Sequence, residues 1–132
     1  MNTDRFRFRC WDKMHNCYQT SDNWFVDLYG QLWFKGAIFE TGSDEDFTIE
    51  QCTGLKDRNG KLIYEGDVVK QTYKDGTNLC TEVFYNTELC RWYLRKPYPN
   101  LHAVEYMVWD FYGSMADSFE VIGNIHEKET GD

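Results

Sequence analysis

Three groupings in this sequence have residue types and spacings that chemistry can use. The first is Cys10, His15 and Cys17 near the N-terminus. A nucleophilic cysteine needs a His base in reach and a further group to orient that base. His15 and Cys17 stand two positions apart on a turn leading into a strand, with no orienting third group in the pattern. Zinc would ask for four ligands at finger-like spacing, whereas these supply three and no CxxC pair is present. Cys52, Cys80 and Cys90 sit among apolar or aromatic neighbours, the usual setting of a thiol acting as a small hydrophobe. The expectation is five free thiols, no catalytic residue, no metal and no cofactor.

The second grouping is acidic. Asp44 with Asp46, and Glu65 with Asp67, are spaced for acid–base work. The loop at residues 41–46, TGSDED, also has the composition of a calcium site, but it lacks the full oxygen set and the distal Glu. Both pairs read better as soluble loop residues and as Asp side chains capping their own turns. No glycine loop of the phosphate-cradling kinds is present.

The third grouping is basic. Arg5, Arg7 and Arg9 alternate with Phe6, Phe8 and Cys10, which would line up a row of cations for phosphate or carboxylate. Asp4 and Asp12 at either end favour a solvated strand face instead. Further along, Arg91, Trp92, Tyr93, Arg95 and Lys96 interleave rings and cations in the way of a single-strand stacking platform. The competing reading, an ordinary edge strand with charged ends, is preferred. A formal charge of −8 works against a phosphate backbone. That charge is uneven: residues 1–50 hold five basic and nine acidic side chains, residues 51–100 eight and six, residues 101–132 one and seven.

The elements that must hold these residues are strands. The chain has 132 residues, 42% apolar and 17% aromatic, which suits one packed domain over 1–132 and favours flat rings on pleated sheets. Strict alternation over residues 5–11 predicts a half-buried strand with Phe6 and Phe8 inward. Residues 53–70 carry the densest turn chemistry. Asn59-Gly60 predicts a tight hairpin with positive φ, and Gly66-Asp67 a second turn. Lys74-Asp75-Gly76-Thr77 predicts another, followed by strands at 79–85 and 89–95. Pro97 and Pro99 end the pairing. Residues 104–109 read as a strand and 110–116 as a short helical turn. Residues 119–125 close the fold, with Gly123 as a bulge.

The fold class expected is mainly β: a small SH3-like barrel over residues 47–125, N-terminal β-hairpins packed on it, and at most one or two short helical turns. The expected core is Phe6, Phe8, Leu62, Ile63, Val68, Val83, Tyr93, Val121 and Ile125. No apolar run approaches the ~20 residues that span a bilayer. Nothing ahead of Arg5 reads as a secretory signal, and the odd number of cysteines suits a reducing cytoplasm.

Three pieces in order resemble the YopX family of small phage and prophage proteins. They are Arg5-Phe6-Arg7 leading to Cys10-Trp11-Asp12-Lys13; residues 51–57, QCTGLKD, continuing through Asn59-Gly60-Lys61 to residues 63–69, IYEGDVV; and residues 120–125, EVIGNI. Members more often carry Ala where Cys10 stands, and Tyr where His126 stands. The resemblance implies a mostly β fold in a bacterial cytoplasm and supplies no activity, cofactor or catalytic set. Its signature residues Gly54, Gly60, Gly66, Asp67 and Gly123 read as turn and bulge positions. The functional expectation is a non-enzymatic accessory module that binds a host or phage protein, with self-association through edge strands. Single-stranded nucleic acid is the rival partner.

Overall fold

The computed structural model describes residues 3–96, 108–110 and 118–127. The chain resolves into two compact units, one over Arg7–Gln51 and the other formed by the remaining described residues. Apart from a 3-10 turn at Asp4–Phe6, the described residues contain no helix, and every strand pairing is antiparallel.

In the Arg7–Gln51 unit, β1 (Phe8–Asp12) pairs with the two-residue β2 (Cys17–Tyr18) and with the start of β6 (Phe47–Lys56). A separate three-stranded sheet joins β3 (Trp24–Val26), β4 (Leu32–Phe34) and β5 (Glu40–Thr41). The strand expected at residues 5–11 therefore begins later. Phe6 belongs to the 3-10 turn and is 51% exposed; Phe8, at the first strand position, is also exposed. The inward face of β1 is carried by Cys10 and Asp12 instead, both buried. Alternation predicted the period and the inward Cys10 correctly and Phe6 and Phe8 wrongly: Phe6 lies ahead of the strand, and Phe8, at its first position, is covered only in part.

The other unit is built on β7 (Leu62–Tyr64), β8 (Asp67–Thr72), β9 (Asn78–Asn86), β10 (Arg91–Arg95), β11 (Val108–Asp110) and β12 (Phe119–Asn124). Five of these form one sheet in the order β11-β10-β9-β8-β12. It is a half-barrel, and closure into an SH3-like barrel is not seen: β11 and β12 end the sheet, and no ladder joins them among the described residues. Of the strand expected at 104–109, positions 108 and 109 lie in β11. The helical turn expected at 110–116 loses its first residue to β11, since residue 110 is strand; residues 104–107, 111–116 and the prolines Pro97 and Pro99 lie outside the described residues. Leu89 and Cys90 are not strand: Asn86 Oδ1 accepts the amides of Glu88 and Leu89, and Cys90 turns at φ 55° before β10 begins.

The core of the half-barrel is Ile63, Val69, Val83, Leu94 and Phe119, with Leu55, Trp92 and Val121 packed against it. Ile63, Val68, Val83 and Tyr93 are buried as expected. Leu62, Val121 and Ile125 are only half-buried. Leu94 and Phe119 take the central places that reading by turn spacing did not assign them.

The hairpin between β6 and β7 has a loop with a type I turn followed by one left-handed residue. Gly60 N–H donates to Asp57 O (3.0 Å), Asp57 N–H donates to Lys61 O (2.8 Å), and Gly60 holds φ +83°. Asn59 keeps negative φ, so the positive-φ demand falls on Gly60 alone. Gly66 (φ +86°) turns β7 into β8, donating to Val83 O (2.8 Å), while Asp67 Oδ2 accepts Tyr64 N–H (2.8 Å). The register between β12 and β8 slips between Val121 and Gly123, placing the expected bulge at Gly123.

Candidate functional site

The basic and aromatic row on β10 is divided between two faces. Strand alternation puts Arg91, Tyr93 and Arg95 on one side and Trp92 and Leu94 on the other. Trp92 packs against the core and meets Tyr85 edge-on at 5.2 Å. On the opposite face Tyr93 is buried and stacks with Phe84 at 5.9 Å. The Arg91 guanidinium lies 5.2 Å from the Tyr93 ring centre, and that of Arg95 lies 4.2 Å from Phe84 while it donates to Glu82 at 2.9 Å. Lys96 follows the strand and is exposed. Two rings pointing to opposite faces, each with intramolecular neighbours, do not form a single surface for stacked bases.

The N-terminal polar residues do converge. Asp12, buried at the end of β1, accepts the amides of Met14 and His15, a bond from Gln19 Nε2 (2.9 Å), and has His15 Nδ1 at 2.7 Å from Oδ2. The His15 side-chain contact, outweighing burial, holds the Asp12 carboxyl below its usual range. Glu50, buried on β6, accepts Arg9 Nε at 2.6 Å and the Tyr18 hydroxyl at 2.8 Å. Arg9 also covers the Tyr18 ring at 4.6 Å. Each carboxylate is thus occupied in fixing β1, β2 and β6 to one another. Cys10 lies among them, and burial, reinforced by Asp12 and Glu50, pushes its thiol up to about 11. A thiol so reluctant to ionise is a poor nucleophile. Cys17, Cys80 and Cys90 are exposed, Cys52 is buried, and all five are free. Among the described residues no three His, Cys, Asp or Glu side chains are grouped to hold a metal. The loop at 41–46 folds on itself, Ser43 Oγ donating to Asp46 Oδ2 at 3.1 Å.

The feature with no structural occupation is apolar. The hairpin loop between β3 and β4 repeats the Asp57–Lys61 geometry: Asp27 N–H donates to Gln31 O (3.0 Å), Gly30 N–H donates to Asp27 O (3.1 Å), and Gly30 holds φ +82°. Asp27 Oδ1 accepts the amides of Tyr29 (2.8 Å) and Gln31 (2.9 Å), and Oδ2 accepts Trp33 Nε1 (2.9 Å). The Trp33 bond, followed by the Gln31 amide, keeps the Asp27 carboxyl below its usual range despite desolvation. This fixed loop carries Leu28 and Tyr29 at its tip, fully exposed. The loop between β4 and β5 exposes Ile38 (70%) and Phe39 (63%) as well. In the sequence these residues lie in aromatic runs beside Gly30 and Gly36, where hydrophobicity reads as strand and hides an exposed turn. The signal was present in the matching spacing of Asp27-Leu28-Tyr29-Gly30 and Asp57-Arg58-Asn59-Gly60.

The fold is similar to the crystal structure of protein EF1440 from Enterococcus faecalis, with a TM-score of 0.54 and 26% sequence identity over 91% of this chain and 92% of that one. No curated protein matches. The family model described as YopX protein matches residues 7–130, nearly the whole sequence and all of the three quoted motifs except Arg5 and Phe6 of the first. On that match the chain belongs to the YopX family.

Proposed function

We propose that this YopX family protein is a non-enzymatic module of phage or prophage origin that acts by binding another protein through its Arg7–Gln51 unit. The observation that carries the reading is the exposure of Leu28 and Tyr29 on a loop whose backbone is fixed by Asp27. Burying one such side chain on a partner is worth about 1.5–3 kcal/mol, and a loop already held in place loses little entropy on docking. The unit holds four basic and eight acidic residues, which steers it to a basic partner surface. No helix among the described residues is long and apolar enough to cross a membrane.

The test is capture from host lysate, with and without nuclease, by the wild type and by the double variant Leu28→Ser with Tyr29→Ser. A single-stranded oligonucleotide is titrated at two salt concentrations alongside, and sedimentation is run at two protein concentrations. A nuclease-resistant partner lost in the double variant supports the proposal. Oligonucleotide binding that falls with salt and is abolished by Trp92→Ala overturns it in favour of nucleic acid. Capture indifferent to the double variant, or self-association that accounts for all loss of monomer, also overturns it.

A further inference from the structure

We infer that the cleft beside the Leu28–Tyr29 tip receives an arginine side chain of the partner, an inference resting on the protein-binding reading above. The cleft encloses ≈ 270 Å³. That lies at the small end of ligand pockets, roughly 300–1,000 Å³, and gives room for one long side chain. Leu32, Phe47 and Ile49 line it together with Tyr29, Ser43 and Asp44.

Both sides are built rather than incidental. Tyr29 is held through its amide by Asp27. On the other side Gln31 Nε2 donates to Leu32 O (2.9 Å) and Gly42 O (3.2 Å), drawing β4 and the 41–46 loop together. A Cβ at Gly42 would stand 2.5 Å from Leu32 Cδ2, so a side chain there would force the two apart. Lys13 Nζ donates to the Asp44 carbonyl at 2.7 Å, which anchors the residue by its backbone. Among the described residues the Asp44 carboxylate itself has no hydrogen-bond or ion-pair partner.

A cleft lined by an exposed tyrosine, an aspartate whose carboxylate is unpaired, and Leu32, Phe47 and Ile49 offers the groups that arginine uses. Its methylenes cover apolar surface, its planar guanidinium stacks on a ring, and its paired donors meet a carboxylate. Lysine offers a compact, strongly hydrated charge that cannot do the last two together. Glu45 and Asp46 follow Asp44 directly and raise the local attraction for a cation.

The experiment is an amide-resolved NMR titration of the full chain with N-acetyl-arginine amide, N-acetyl-lysine amide and N-acetyl-norleucine amide. Shifts confined to residues 29–32 and 42–47, strongest with the arginine probe, are expected. Tyr29→Ala and Asp44→Asn should each weaken that binding about threefold to tenfold, while Tyr29→Phe and the distant Asp22→Asn leave it near wild type. Equal response to the lysine probe, shifts spread over every acidic loop, or binding unchanged by Tyr29→Ala overturns the inference. Arginine-probe binding at the cleft without any captured partner would overturn the protein-binding reading and leave the cleft's selectivity standing. A captured partner dependent on Leu28, with no arginine-probe shifts, would do the reverse.

Discussion

Asp57 is the residue whose removal tests the fold most directly. It is buried, and its two carboxylate oxygens serve two elements at once. Oδ1 accepts the amides of Asn59 (2.8 Å) and Lys61 (2.9 Å) inside its own hairpin loop; Oδ2 accepts Val121 N–H on β12 (2.9 Å), 64 residues away. Arg58 N–H adds a bond to Phe119 O at 3.0 Å. Asp57→Ala strips three acceptor contacts. The two loop amides reach water and cost little, about 0.5 kcal/mol each, whereas Val121 N–H is left part-buried without an acceptor at about 1–3 kcal/mol. The expected loss is about 2–4 kcal/mol. Urea denaturation followed by tryptophan fluorescence gives the magnitude, and hydrogen exchange at the Val121 amide gives the place. A loss under about 1 kcal/mol, or unchanged Val121 protection, would refute the account. Acid supplies a second arm. Burial pushes the Asp57 carboxyl up, but the Val121, Lys61 and Asn59 amides together outweigh it and leave the group below its ordinary 3.8. The unfolded chain therefore takes up this proton more readily than the folded one. The contribution is complete above the ordinary value and fades as pH falls through the lower folded one. Asp57→Asn, which cannot titrate, should lose less stability than the wild type between pH 6 and pH 3.

Three further outcomes follow from the packing. Ile63, fully buried at the centre of the core, should lose about 2–5 kcal/mol on truncation to Ala, measured by the same denaturation; a loss well under 1 kcal/mol would place it elsewhere. Gly60→Val puts a β-branched residue at φ +83° with open space around its Cβ, so its cost is backbone strain alone, about 1–3 kcal/mol by thermal melting. Thiol titration should find the exposed Cys17, Cys80 and Cys90 reactive in the native protein, with Cys10 and Cys52 reacting only after denaturation; early reaction of Cys10 would contradict its upward-shifted thiol.

The parts of this fold that were legible in the sequence are those written in local backbone chemistry. Gly60, Gly66 and Gly76 announce themselves because few residues besides glycine sit easily at positive φ. The rest depends on contacts made at long range. Nothing in alternation alone says that Phe8 stands at an exposed strand end, or that Tyr93 and Leu94 are both buried, on opposite faces of β10. The β10 row reads in the sequence as an edge strand with charged ends, or as its rival a surface for bases, because a linear reading sees rings and cations side by side. In the fold it is no edge, lying between β9 and β11. The pleat then turns Trp92 to one face, against Tyr85, and leaves Tyr93 and Arg95 on the other, where Phe84 and Glu82 from β9 take them up. The apolar tip at Leu28 and Tyr29 was hidden by the opposite error: side chains that look like strand interior stand in a turn.

The tie between Asp57 and Val121 also sets an order on how the protein comes into being. During synthesis the 57–61 loop, β8, β9 and β10 all leave the ribosome before Phe119 does, so the sheet exists first without its last strand. Through that interval Ile63 and Val69 lack the ring that lies against them in the finished molecule, and Asp57 points its second oxygen at water. The nascent chain thus has a stage with open apolar surface that ends only when β12 arrives. A frameshift or premature stop ahead of residue 119 would hold the chain at that stage. The product would be an exposed half-barrel, a substrate for proteases and for aggregation, rather than a shortened protein with partial activity.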